Sequence, residues 1–128
     1  MKRVFVTGGA HGIGKAIVEA FCAKDCRVAF CDIDEQRGEH LAAETGAYFF
    51  PLDVCDVCAL ETCVQRLFAE WGDLDIIVNN VGIGGFEPIT ETSVEQFERV
   101  LNTNLRSTFI TSRMLAIHRK KQNQQNPY

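Results

Sequence analysis

The feature that most constrains this fold is a glycine-rich turn between an apolar run and a stretch with helical spacing. Residues 7–14 read Thr-Gly-Gly-Ala-His-Gly-Ile-Gly; the apolar run Arg3–Val6 precedes them and the helix-patterned stretch Lys15–Ala23 follows. Glycine permits positive φ and carries no Cβ, so backbone N–H groups at a helix N-terminus can face a phosphate. The order strand, glycine turn, helix therefore predicts a nucleotide site at the start of the chain.

The rest of the chain repeats the strand and helix pattern. The predicted strands are Arg3–Thr7, Arg27–Cys31, Ala47–Phe50 and Asp75–Asn79, and the predicted helices are Ile13–Lys24, Glu35–Glu44, Val57–Trp71 and Ser93–Arg119. Consecutive apolar residues such as Ile76-Ile77-Val78 indicate strands that are buried on both faces, as in parallel sheets covered by helices. The pattern predicts one α/β domain over residues 1–128, with a polar tail at 119–128.

The last predicted helix has its own start signal and an apolar face. Ser93 and Gln96 form a plausible capping box, and the cations of residues 118–121 suit the C-terminal end of the helix dipole. Apolar residues recur at three- and four-residue steps: Phe97, Val100, Leu101, Leu105, Phe109 and Leu115. We expect this helix to bury that face.

Charge and composition exclude several classes of partner and site. The formal net charge of −4 gives no reason to expect nucleic acid or an anionic membrane as partner. No apolar stretch approaches the roughly 20 residues that span a bilayer, and Lys2-Arg3 does not lead into a secretory signal, so we expect a cytoplasmic protein. The six cysteines lie in apolar patterns, which favours reduced thiols, and Cys55-Asp56-Val57-Cys58 lacks the second ligand pair of a metal site.

Two nucleotide-binding interpretations compete for the glycine turn. Residues 9–15 fit most of the P-loop pattern, but Ala16 stands where a P-loop needs Ser or Thr to hold Mg²⁺. The dinucleotide interpretation requires an acidic residue about 20 positions further on, at the end of the second strand, where it binds the ribose 2′-OH. Asp32 is there, Asp34 is a second candidate, and the alternative for Asp32 is a loop or cap residue. A carboxylate also repels a 2′-phosphate, so NAD is favoured over NADP.

Four separated motifs resemble the short-chain dehydrogenase/reductase family. Residues 7–14 are similar to its T-G-x-x-x-G-x-G cofactor turn, and Asp53-Val54 resembles its adenine-contacting pair. Asn79-Asn80-Val81-Gly82 resembles its N-N-A-G signature, with valine in place of alanine, and Asn104-Leu105 resembles its helix asparagine. The resemblance implies a Rossmann-like parallel sheet with strand order 3-2-1-4 and flanking helices, here incomplete.

The resemblance also implies the site residues and the chemistry. It assigns cofactor binding to Thr7, Gly8, His11, Gly12, Ile13, Gly14, Asp32, Asp53, Val54, Asn79, Asn80 and Gly82, with Asn104 as one member of the catalytic set. His11 stands where NADP-preferring members often carry Arg or Lys. The implied reaction is hydride transfer between NAD(H) and a small alcohol or carbonyl substrate.

The family's catalytic serine and Y-x-x-x-K motif have no counterpart here. Tyr48 lies in a predicted strand with Leu52 four residues later, and Tyr128 is the last residue of the sequence. General acid–base catalysis needs a group within hydrogen-bond reach of the substrate oxygen, so we expect this chain, a cofactor-binding half, to be inactive alone. The alternative is a non-catalytic nucleotide-binding or self-associating module. We expect a homo-oligomer through the 93–119 helix or the 75–79 strand edge.

Overall fold

The computed structural model describes residues 1–85 and 87–122 as alternating strands and helices. The strands are β1 (Arg3–Thr7), β2 (Arg27–Asp32), β3 (Tyr48–Pro51) and β4 (Ile76–Val78), and the helices are α1 (Gly12–Cys22), α2 (Glu35–Thr45), α3 (Val57–Trp71), α4 (Val94–Leu101) and α5 (Ser107–Lys121). A short 3-10 turn spans Ile89–Glu91. Of the predicted polar tail, residues 119–121 belong to α5, and residues 123–128 lie outside the described residues.

The four strands form one parallel sheet in the order β3-β2-β1-β4. Phe5 in the middle of β1 lies opposite Ala29 of β2 and Ile77 of β4. The side chains of β1 are apolar on consecutive positions because both faces of the sheet are covered, and Val4, Phe5 and Val6 are fully buried. The α/β class, the Rossmann-like architecture and the strand order are therefore confirmed, and β4 forms one edge of the sheet.

Helices cover both faces of the sheet and make two separate apolar cores. On one face α3 and α5 pack through residues such as Leu60, Leu67 and Ile110. On the other face α1 and α2 pack through Val18 and Leu41. With both faces filled, the polar loops that join strands to helices remain at the ends of the strands, where a ligand site can form.

The predicted helix over residues 93–119 begins where expected but is not regular. The backbone N–H of Gln96 donates to Ser93 Oγ at 3.1 Å, so Ser93 caps α4 as predicted. A π-helical turn at Asn102–Arg106 then separates α4 from α5. Such a turn holds one residue more than an α-turn, so it changes which residues of the following helix face the sheet.

The expectation that this helix buries its apolar stripe was wrong for most of the stripe. Phe97, Leu105 and Phe109 are 57%, 64% and 62% exposed. The buried face carries small hydroxyl residues instead, among them Thr103, Ser107 and Thr111. These hydroxyls can be buried because each finds a hydrogen-bond partner close by, as Ser107 Oγ does at the carbonyl of Thr103.

Within the described residues, no helix combines the length and apolar character needed to span a bilayer.

Candidate functional site

The glycine turn is fastened to the carboxyl end of β2. The backbone N–H groups of Gly8 and Gly9 both donate to the carbonyl of Cys31, at 2.8 and 3.2 Å. Gly8 has φ +69°, and a Cβ there would lie 2.8 Å from Cγ2 of Val81. The turn therefore requires glycine for its backbone conformation and for its close approach to the chain after β4.

The first turn of α1 has backbone N–H groups that no capping side chain satisfies. The N-cap residue His11 makes no side-chain capping hydrogen bond. By contrast, Asp34 caps α2 and Asp56 caps α3, at 3.1 Å in both cases. At Gly12, with φ +61°, a Cβ would meet nothing within 4 Å, so the turn is open on that side. Free N–H groups and the positive end of the helix dipole suit an anion such as a diphosphate.

The chain after β4 is tied to the glycine turn by Asn80 and Thr7. Asn80 Nδ2 donates to the carbonyls of Thr7 and Gly8, at 3.1 and 3.0 Å. In return, Thr7 Oγ1 accepts from the backbone N–H groups of Asn80 and Val81. Thr7 is almost fully buried, so its hydroxyl connects the glycine turn to the chain after β4 from inside the protein.

Asp32 holds the turns on either side of it. One carboxylate oxygen accepts from the N–H of Ala10 and the other from the N–H of Asp34, both at 3.0 Å. An ionised carboxylate has about four acceptor positions, so two remain for a ligand hydroxyl. Asp34, the second candidate, is the cap of α2.

Asp53 and Val54 form the turn after β3, and the π-helical segment closes over it. Asp53 Oδ1 accepts from the N–H of Cys55 at 2.9 Å. Cys55 Sγ lies 2.9 Å from Thr103 Oγ1, and Arg106 donates to the Cys55 carbonyl at 2.7 Å. These contacts fix the position of the loop against the last helix.

Together these segments line one cleft of about 400 Å³ at the carboxyl ends of the strands. Ten of the predicted cofactor-binding residues line it: Gly8, His11, Gly12, Ile13, Gly14, Asp32, Asp53, Val54, Asn80 and Gly82. Thr7 and Asn79 are not among its lining residues. Asn79 instead accepts a 2.6 Å hydrogen bond from Thr111 Oγ1 and so joins the end of β4 to α5.

Asn104, the predicted catalytic asparagine, lies in the π-helical turn and does not line the cleft. Its Oδ1 accepts from the N–H of Ile83 at 2.8 Å, and its Nδ2 donates to the Ile83 carbonyl at 2.7 Å. Both ends of the amide are thus used to hold Ile83, which does line the cleft. In this geometry Asn104 positions one wall of the cleft.

Sequence reasoning missed several residues that line the cleft. Arg99 lines the cleft from α4 and Thr103 from the π-helical turn, and no sequence motif marked either residue. Cys31, the last apolar residue of β2, also lines the cleft, and burial raises the pKa of its thiol, which keeps it neutral. Within the residues that the structure describes, no three His, Cys, Asp or Glu side chains are arranged to hold a metal ion, and all six cysteines are free thiols.

Comparison with known proteins places this geometry in a family. A family model described as short chain dehydrogenase matches residues 2–125. Sorbitol dehydrogenase of Cereibacter sphaeroides is 36% identical over 117 residues, which are 90% of this chain and 46% of that protein. L-fucose dehydrogenase of Mus musculus is 39% identical over 122 residues, 94% of this chain and 45% of that protein. The chain therefore spans about half the length of these relatives.

Solved structures agree with the sequence relatives. A 3-ketoacyl-(acyl-carrier-protein) reductase from Brucella melitensis, complexed with NADH, superposes with a TM-score of 0.86 at 28% identity, over 94% of this chain and 51% of that one. A serine dehydrogenase from Escherichia coli gives a TM-score of 0.83 at 32% identity, over 94% of this chain and 57% of that one.

Proposed function

The chain belongs to the short-chain dehydrogenase/reductase family, and from that premise we propose that it is the NAD-binding unit of an oxidoreductase. The reaction is hydride transfer between the nicotinamide cofactor and a small alcohol or carbonyl substrate. The observation that carries the proposal is the uncapped N-terminus of α1, which opens into the same cleft as Asp32. Residues 1–128 then act as a single dinucleotide-binding domain.

The residues of the cleft suit the parts of a dinucleotide. The free N–H groups at Gly12 to Gly14 would receive the diphosphate, and Gly12 leaves room for it to approach. The remaining acceptor positions of Asp32 would receive ribose hydroxyls, and Asp53-Val54 lines the adenine side. Bound NAD would supply the hydride acceptor, and the chain's own residues would bind it and orient it.

Asp32 is the reason to prefer NAD over NADP. Its carboxylate lines the cleft, and a 2′-phosphate beside it would place like charges close together in a partly desolvated site. We also propose that the protein is cytoplasmic.

The chain binds cofactor without the groups that would complete the reaction. Tyr48 lies at the start of β3 with its ring 5.6 Å from that of Trp71, and the cleft is at the opposite ends of the strands. Both ends of the Asn104 side-chain amide bind the backbone of Ile83. Because the described residues that line the cleft include no serine, tyrosine or lysine, we propose that this chain alone does not convert an alcohol or carbonyl substrate.

Titration with NADH and NADPH tests the proposal. We expect NADH to bind more tightly than NADPH. Asp32→Ala should weaken NADH binding about tenfold and so reduce the difference in affinity between NADH and NADPH. Asp56→Ala is the matched control, because it also removes a carboxylate that accepts a hydrogen bond from a backbone N–H, but Asp56 lies outside the lining of the cleft. Absence of binding by either nucleotide would contradict the proposal and favour a purely self-associating module. NADH-dependent carbonyl reduction above background would contradict only the proposal that the chain is inactive, and not the proposal that it binds NADH.

The exposed apolar stripe supports a second proposal, that the chain forms a homo-oligomer. Phe97, Leu105 and Phe109 lie on one continuous helical segment and are more than half exposed. The unpaired edge of β4, over the predicted 75–79 segment, is the alternative contact.

Light scattering at tens of micromolar tests this association. We expect wild type to be larger than a monomer and the double variant Phe97→Ser/Leu105→Ser to be monomeric. Ile89→Ser is the matched control, because Ile89 is 90% exposed in the 3-10 turn and outside the stripe. A double variant that stays oligomeric would point to the β4 edge, and a monomeric wild type would contradict both contacts.

A further inference from the structure

A cavity of about 240 Å³ lies at the amino ends of the strands, lined by Arg27 at the start of β2 and Tyr48 at the start of β3. Three of its described lining residues carry sulfur, namely Met1, Cys22 and Cys26, and we name it the sulfur cavity. Cys22 is the last residue of α1, and Cys26 directly precedes β2. None of the three lines the nucleotide cleft, so the chemistry of the sulfur cavity is separate from the proposed function.

The turn after α1 brings Cys26 back against the end of the helix. The backbone N–H of Cys26 donates to the carbonyl of Phe21, and that of Asp25 donates to the carbonyl of Cys22, both at 3.2 Å. These two bonds are those of a Schellman motif, with Asp25 in the left-handed conformation at φ +55°. The turn therefore fixes the backbone positions of Cys22 and Cys26 relative to each other.

The two cysteines are free, half-buried thiols that pack against the core under α1 and α2. Burial raises the pKa of the Cys22 thiol, a hydrogen bond with Thr45 lowers it, and the charge of Cys26 raises it. Cys26 Sγ lies 3.9 Å from the carbonyl of Lys24. The charge of Cys26 affects Cys22 because the two sulfur atoms are near each other. Two thiolates at this site would repel one another unless a cation lay between them.

The ligand types of the sulfur cavity favour one class of cation. Thiolate and thioether sulfur are soft ligands that suit Cu(I), whereas carboxylates suit hard cations such as Mg²⁺ and Ca²⁺. Asp25 supplies the one carboxylate among the described lining residues. A structural zinc site takes four ligands, and in the described part of the chain no three His, Cys, Asp or Glu side chains are grouped to begin one. Two thiolates and a thioether therefore fit Cu(I) better than zinc or a hard cation.

We propose that the sulfur cavity binds one Cu(I) ion, with the thiolates of Cys22 and Cys26 as two ligands and the thioether of Met1 as the third. On binding, two S–H bonds are replaced by two Cu–S bonds, and two protons leave to solvent. Copper remains Cu(I) throughout, so the step needs no oxidant or reductant. Met1 is 84% exposed, so its side chain can turn toward the ion without disturbing the core.

Competition for Cu(I) with the chelator bathocuproine disulfonate, without oxygen and with ascorbate present, tests the site. We expect the wild-type chain to withdraw one equivalent of Cu(I), and Cys22→Ser and Cys26→Ser each to lower the Cu(I) affinity by at least about a hundredfold. The affinity should rise with pH, because both thiols must lose a proton. The matched control is Cys58→Ser, which removes the exposed thiol of the Cys55 and Cys58 pair, outside the sulfur cavity, and should leave the affinity unchanged.

Equal Cu(I) affinities of Cys22→Ser, Cys26→Ser and Cys58→Ser would show an adventitious ion only and overturn the site. X-ray absorption at the copper edge tests wild type directly, so the test does not depend on a variant that folds. Three sulfur neighbours around copper would support the full ligand set, two would overturn the part of Met1, and nitrogen or oxygen neighbours alone would overturn the site. Failure to bind NADH would contradict only the proposed function, because no proposed copper ligand lines the cleft.

Discussion

The two ends of the same four parallel strands use charged residues in opposite ways. At the carboxyl ends, loops lead into the helix N-termini, and backbone N–H groups of these loops donate to carboxylates. Asp32 accepts from Ala10 and Asp34, and Asp53 accepts from Cys55. Both of these carboxylates bind backbone and retain acceptor positions toward the cleft.

At the amino ends, helices end, and carbonyl groups there contact basic side chains. Arg3 donates to the carbonyl of Trp71, Arg119 donates to that of Leu74, and His118 Nε2 lies 2.9 Å from that of Gly72. Asp73 lies within 4 Å of all three of these side chains. The polar groups at this end therefore contact one another.

The difference follows from the direction of the chain. In a parallel sheet with connecting helices, helix N-termini gather at the carboxyl ends of the strands, and helix C-termini gather at the amino ends. Acidic residues at the first end are available for binding, and basic and acidic residues at the second end stabilise the fold. Substitutions at the two ends should therefore separate binding from stability.

The largest effect is expected at the carboxyl end, from Gly14→Ala. A Cβ at Gly14 would overlap the carbonyl oxygen of Gly8 and lie 2.6 Å from Asn80 Nδ2, so α1 must move away from the glycine turn. We expect a loss of about 3 kcal/mol in the free energy of unfolding, together with loss of nucleotide binding. Urea denaturation and NADH titration measure the two effects.

The matched control for Gly14→Ala is Gly46→Ala, at the end of α2. Gly46 has φ +79° and open space around it, so the substitution adds backbone strain without a clash. It should cost about 1 kcal/mol and leave nucleotide binding unchanged. If both variants lost the same free energy of unfolding, close packing at the glycine turn would not be what holds α1 in position.

The carboxyl end was the more predictable of the two. Apolar runs indicated the strands, and the glycine spacing with Asp32 indicated the cleft, because both signals are local in sequence. The cluster at the amino end joins Arg3 to Asp75, 72 positions away, and no local pattern reports such a pair. Local periodicity was also misleading for the apolar stripe, since it cannot show that the hydroxyls of Ser107 and Thr111 take the buried face.

The lining residues of the cleft were predicted on different grounds. Backbone geometry indicated the glycines of the turn, the expected ribose contact indicated Asp32 at the end of β2, and the family resemblance indicated Asp53 after β3. Asn79 and Asn104 differ, because an amide side chain can serve a ligand or the protein's own backbone and side chains. In this fold Asn79 binds Thr111, and Asn104 binds Ile83.

A smaller effect is expected at the amino end, from Asp75→Asn. Arg3 Nε and the Arg3 backbone N–H both donate to Asp75, at 2.9 and 2.8 Å, and these bonds hold the pKa of the carboxyl below its ordinary value. We expect the variant to lose about 1 kcal/mol in the free energy of unfolding at pH 7. This loss is smaller than for a buried ion pair because the site is partly exposed. Nucleotide binding should be unchanged, since the cleft lies at the other ends of the strands.

The pH dependence of that loss gives the sharper test. Because the folded pKa of Asp75 is depressed, its stabilising contribution is complete above the unfolded pKa and disappears as pH falls through the folded pKa. The difference in unfolding free energy between wild type and Asp75→Asn should therefore be constant near neutrality and shrink in acid. Glu70→Gln, which removes an exposed pair with Arg66 on α3, is the control and should cost less stability than Asp75→Asn, with no such change in acid. If Asp75→Asn weakened NADH binding, the two ends of the strands would be energetically coupled. That result would contradict the separation between residues for binding and residues for stability.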